Sequence, residues 1–288
     1  MASSASSSAA PANDKPALAN VGGYCANCVK AFVRDGVPTG ELTTLKVELA
    51  GKEVALPCYV KRSAEPNSPT ILFVTDVFGH LFKNNQVLAD EYAARGFNVI
   101  MPDILDGRAV DGASTAPLMD VEKAGFFSAV GTICSVIPNF VSFIYNNGSR
   151  KAVQPRVEAA ARAARKLAAE LGNGRMASVG FCFGGPFAVL LARAGLTDAF
   201  VGVHPSALGV PADLEGLAGK PGLFCLSEHD HMITRSVADK MKAALPSAEH
   251  IWYLGVSHGF AVRGPPSADA MREKCAADVT SFLKTALA

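Results

Sequence analysis

The chain has 288 residues, of which 49% are apolar, and a formal net charge of +1 at pH 7. That length allows one large domain or two small ones, with enough apolar material for a sizeable core. The near-neutral charge argues against nucleic acid or an anionic membrane as the main partner. Seven scattered cysteines, an odd number, suit a reducing, cytoplasmic setting better than a disulfide framework.

Met1 to Ala19 is rich in Ala, Ser and Pro. It lacks both an apolar core of signal-peptide length and any arginine, so it reads as a disordered tail. Residues 1–35 are taken as an N-terminal tail and 36–288 as the folded domain. The pair Cys25 and Cys28 forms a CxxC, but no second pair follows at zinc spacing and no βαβ unit surrounds it, so a structural role is favoured over a metal or redox one. Leu42 to Leu49 and Val54 to Val60 read as strands joined by a turn at Gly51-Lys52. Thr70 to Thr75 and Phe97 to Met101 are short continuous apolar runs, the pattern of strands buried on both faces. Between them, Gln86 to Arg95 has helical periodicity and stops at Gly96. Strands alternating with helices imply an α/β architecture, a mostly parallel sheet with right-handed crossovers. Ligands of such sheets bind beyond the carboxyl ends of the strands, which puts Asp76 and Asp103 on that edge.

Gly112 to Gly148 is apolar, with no charged residue between Lys123 and Arg150. Pro138, Asn139, Ser142 and several glycines interrupt it, so a small cap over the site or a subunit interface is favoured over a membrane span. Val153 to Leu171 reads as a long Ala-rich helix with one solvated face. Met176 to Val179 is a buried strand that runs into Gly180-Phe181-Cys182-Phe183-Gly184-Gly185, and a helical run follows from Pro186 to near Ala194. This is the nucleophile-elbow pattern with cysteine in the serine position. It places a thiol at a helix N-terminus, where the dipole favours thiolate, and aims the Phe183 N–H at a developing oxyanion. Ala199 to Val203 and Gly222 to Leu226 are further buried strands, Ile251 to Leu254 is the last, and Met271 to Leu287 is a closing helix. The order Cys182, Asp230, His258, each past a strand, is the nucleophile–acid–histidine order of α/β-hydrolases. Glu228 is the competing acid. His229, Asp230 and His231 point alternately on an extended chain and make an awkward chelate, so no metal is expected. His80 and His204 stand at strand ends, either as structural hydrogen bonders or as substrate contacts.

Four motifs together carry a resemblance: Thr75-Asp-Val-Phe-Gly-His80, Met101-Pro-Asp103, Gly180-Phe-Cys-Phe-Gly-Gly185 and His258-Gly-Phe-Ala-Val-Arg-Gly264. From about Gly36 to the C-terminus the chain resembles the dienelactone hydrolase (carboxymethylenebutenolidase-like) family, its fungal-type branch most closely. The resemblance implies a single α/β-hydrolase domain with a Cys182–Asp230–His258 triad and oxyanion donors at the N–H groups of Phe183 and Val77. It implies that Asp76 modulates the thiol, where the family usually has glutamate, and that Arg108 and Arg263 stand near the positions that hold a substrate carboxylate. The expected activity is cysteine-dependent hydrolysis of lactones or activated esters through a thioester, without a cofactor, by a monomer or homodimer acting on a small molecule. The competing classes are an acyl transferase or isomerase on the same triad, and a non-catalytic binding protein.

Overall fold

The structure, a computed structural model, describes residues 31–110, 146–147 and 149–288. Most of the 112–148 segment and the pair Cys25 and Cys28 lie outside the described residues. An antiparallel hairpin opens the domain, β1 (Glu41–Leu49) and β2 (Lys52–Lys61). It leads to β3 (Thr70–Val74), α1 (Lys83–Ala94), β4 (Asn98–Pro102) and the long helix α2 (Arg150–Leu171). Then come β5 (Met176–Phe181), α3 (Gly185–Arg193), β6 (Ala199–Val203), β7 (Gly222–His229), α4 (Arg235–Ala244) and β8 (Glu249–Ser257). A single turn, α5 (Phe260–Arg263), precedes the closing helix α6 (Asp269–Ala286).

The eight strands form one sheet in the order β1-β2-β4-β3-β5-β6-β7-β8. β2 pairs antiparallel with both β1 and β4, and every pairing from β4 through β3 to β8 is parallel. β3 to β6 are buried along their whole length, as continuous apolar strands with helices over both faces must be. Period two divides the side chains of β6 between the faces. Ala199, Val201 and Val203 join the main core, while Phe200 joins a second cluster with Leu217, Phe224 and Met241. Among the described residues no helix is long and apolar enough to cross a membrane.

Two details depart from the sequence reading. The strands run further than their apolar cores, β7 to His229 and β8 to Ser257. α4 was not foreseen; it is a short, largely exposed helix that buries only Ala238 and Met241. The segment just ahead of residue 36 already packs on the domain. The Phe32 N–H donates to the Arg263 carbonyl at 3.1 Å. The Asn84 amide donates to the carbonyls of Phe32 and Val262, and its Oδ1 accepts from the Arg34 N–H.

Candidate active site

Cys182, His204, Asp230 and His258 are each the first residue beyond a strand, after β5, β6, β7 and β8. Parallel pairing aligns those strand ends, which is how residues far apart in sequence meet. Cys182 adopts φ +50°, a left-handed conformation that a β-carbon disfavours by about 1–2 kcal/mol. The strain holds because the turn is packed tight. A β-carbon on Gly184 would overlap the Val74 and Thr75 carbonyls, and one on Gly180 would overlap the Gly184 carbonyl.

His258 Nε2 lies 3.0 Å from the Cys182 sulfur, and its Nδ1 lies 2.9 Å from Asp230 Oδ2. Asp230 is fixed in turn by the Ser227 hydroxyl at 2.9 Å and the Met232 N–H at 2.8 Å. Burial penalises the charged imidazole, but the Cys182 sulfur and the Asp230 carboxylate outweigh it and hold His258 up at about 10. Burial also works against ionised Asp230, yet its bonds to His258, Met232 and Ser227 keep it below the usual carboxylate range. Glu228 faces elsewhere: its carboxylate accepts the Gly255 N–H at 2.8 Å.

Asp76, fully buried after β3, accepts from the Phe78 N–H at 3.1 Å and the Asn85 amide at 3.0 Å. Its other oxygen lies 3.2 Å from Arg263 Nη1, and Arg263 Nη2 reaches 3.9 Å from the Cys182 sulfur. Arg263 therefore bridges Asp76 and the Cys182 sulfur. Burial raises Asp76, and the opposing Arg263 charge does not cancel it. Arg108, by contrast, is half exposed and pairs with Asp106 at 2.7 Å. His80 lies 3.6 Å from Asp103, whose carboxylate it helps hold below the usual range against the effect of burial. Val77 and Phe183 are buried beyond the ends of β3 and β5.

His204 is fully buried, and neither ring nitrogen has a hydrogen-bond partner among the described residues. It packs edge-on against His258 and Phe260, with ring centroids 5.1 and 5.6 Å apart. Burial, then the neighbouring His258 charge, push it down to about 3, so it is neutral. Ser206, which the sequence reading passed over, places its hydroxyl 3.2 Å from the Cys182 sulfur. A cavity of about 210 Å³ adjoins the site, lined by Phe32, Val256, His258, Phe260, Arg263 and Pro265 among others. Among the described residues no cluster of His, Cys, Asp or Glu could hold a metal.

The family model described as the dienelactone hydrolase family matches residues 56–287. The hydrolase tropI of Talaromyces stipitatus is 28% identical over 254 residues, 85% of this chain and 88% of the relative. The carboxymethylenebutenolidase homolog of Mus musculus is 26% identical over 215 residues, covering 72% and 77% of the two chains. Among solved structures, the dienelactone hydrolase of Anabaena variabilis aligns with a TM-score of 0.54 at 14% identity, over 86% of this chain and 99% of that one. That last likeness is one of fold.

Proposed function

This chain belongs to the dienelactone hydrolase family of carboxylic ester and lactone hydrolases, and from that premise we propose a cysteine-dependent hydrolase that works through a thioester. The observation that carries the reading is the line from sulfur to imidazole to carboxylate, 3.0 Å and 2.9 Å long, the geometry of a nucleophile, its base and the base's orienter. The Cys182 thiolate attacks the carbonyl carbon, and the oxyanion is received by the N–H groups of Phe183 and Val77. As the carbon–oxygen bond breaks, His258 gives its proton to the departing oxygen. Water then attacks the thioester, His258 takes its proton, and the carbon–sulfur bond breaks to return the thiolate.

A thiolate, with an unperturbed pKa of about 8.5, is expelled in preference to an amine, so lactones and activated esters are the substrate class and peptides are not. Asp76 tunes the thiol through its charge and through Arg263, which it holds beside the sulfur. A carboxylate on the substrate would compete with Asp76 for Arg263 through a charge-assisted pair. His204, neutral and packed against the His258 and Phe260 rings, has no hydrogen bond to either ring nitrogen among the described residues and is a candidate substrate contact. The test is a screen of lactones and short aryl esters against wild type and Cys182→Ala. Turnover and labelling by a soft electrophile are expected in the first and absent in the second; turnover surviving in Cys182→Ala rejects the reading.

A further inference from the structure

We propose that Ser206 is a positioning residue for the nucleophile, its hydroxyl donating a hydrogen bond that holds the Cys182 sulfur as an aimed thiolate. The inference rests on Cys182 being the nucleophile. The Ser206 oxygen lies 3.2 Å from the sulfur and makes no second hydrogen bond among the described residues. Ser206 is 1% exposed, so no water competes freely for that proton. A hydroxyl is both donor and acceptor, and a thiolate accepts only. Once the sulfur is ionised, the direction of the bond is set.

The backbone explains why the hydroxyl points there. The turn after β6 carries left-handed residues on both sides, His204 at φ +36° and Ala207 at φ +50°. The Ser206 N–H donates to the Cys182 carbonyl at 2.9 Å, and the His204 N–H to the Cys225 carbonyl at 2.8 Å. Pro205 lies so close to Gly185 that a β-carbon there would overlap its ring. Main-chain bonds and packing thus fasten this turn to the elbow without help from the side chain. The hydroxyl is left with one task, which concerns the sulfur.

Several charged or titratable groups face that sulfur. His258 is 3.0 Å away and Arg263 3.9 Å. Asp76 stands behind Arg263, Asp230 behind His258, and His204 against the His258 ring. The charges of the imidazoles and carboxylates change with pH, whereas the Arg263 guanidinium and the serine donor are the same throughout. A thioester sulfur is a weak acceptor and a thiolate a strong one, since bonds to ionised acceptors are roughly twice as strong. The bond therefore favours the free thiolate before attack and again as it departs from the acyl-enzyme.

The experiment is the pH dependence of Cys182 alkylation by iodoacetamide in wild type, Ser206→Ala, Ser206→Thr and Cys182→Ala, beside the steady-state rate after the burst with an aryl acetate. In Ser206→Ala the alkylation midpoint should rise by about one pH unit, a tenfold change in the ionisation constant, while the high-pH plateau stays at or above wild type. Thioester hydrolysis should slow in the same variant. Ser206→Thr, which keeps the hydroxyl, should titrate with wild type. A midpoint unmoved in Ser206→Ala, or moved equally in Ser206→Thr, overturns the proposal. A plateau lowered with an unmoved midpoint overturns it too, since that marks a merely structural serine. Alkylation of wild type no faster than the Cys182→Ala background is a different failure, that of Cys182 as nucleophile.

Discussion

Asp230 and Glu228 stand two residues apart and face different partners, one the His258 ring and the other the backbone of Gly255. Asp230→Asn should therefore lower kcat by roughly 10³–10⁴-fold, the loss expected when the histidine is held in the wrong tautomer. Glu228→Gln should stay within a few-fold of wild type, and steady-state kinetics on one aryl ester compares them directly. The same carboxylate sets a pH limb. In the proposed mechanism His258 carries a proton to the leaving oxygen. Against the effect of burial, the Cys182 sulfur and Asp230 hold that proton up to about 10, so kcat/KM should fall as pH rises through that region. Asp230→Asn removes a group that raises the ring, so in its residual activity the limb should move to lower pH. For Asp76, loss of the carboxylate charge frees Arg263 for the sulfur. Asp76→Asn should shift Cys182 alkylation to lower pH; superimposable curves would leave Asp76 as a brace for its turn. The three residues on the sulfur–imidazole–carboxylate line were legible because each closes an apolar strand in a known order. The Asp76–Arg263 pair was not, since its members lie 187 positions apart and meet only through the single turn α5.

The elbow is the element on which the site depends, and its small residues are steric requirements. Gly184→Ala should destabilise the protein by at least about 1–3 kcal/mol, the usual cost of forcing atoms into packed space. A Tm within a degree of wild type would mean that the β3 carbonyls can move aside. The elements with strong periodicity or continuous apolar character were readable, their ends less so. β7 and β8 continue past their apolar residues because β-ladder pairing with a neighbour does not require an apolar side chain. α4 escaped notice since it buries only Ala238 and Met241, although Thr234 caps it by accepting the Val237 N–H. That cap was the available signal. The turn His204-Pro205-Ser206 gives no sequence cue for the sulfur contact of Ser206, because Ser206 and Cys182 lie 24 positions apart and meet only where β5 and β6 end side by side.

At the scale of the molecule, alternating strands and helices made the parallel sheet legible, but not the order of its strands. That β3 lies between β4 and β5 follows from crossover packing, which no local pattern records. The whole fold also carries an acid sensitivity. His204 is held neutral, down to about 3, against roughly 6.5 in an unfolded chain. Below 6.5 the unfolded chain binds a proton that the folded one refuses, so stability falls as pH drops from 6.5 toward 3, by up to several kcal/mol. His204→Phe, surrounded by Phe181, Phe260 and the His258 ring, should flatten that loss and move the acid-unfolding midpoint to lower pH. Acid unfolding followed by circular dichroism measures it. An unchanged midpoint would show that other groups govern the acid limb.

The attachment of Phe32 to the Arg263 carbonyl has a practical side. A label or surface linker attached at position 32 would stand beside the cavity that touches His258, and so would crowd incoming substrate. Ala288 is held by Arg175, at the opening of β5, the far rim of the sheet. A handle attached there leaves the cavity rim facing solution, and immobilised protein oriented in that way should keep more of its turnover than protein tethered through position 32.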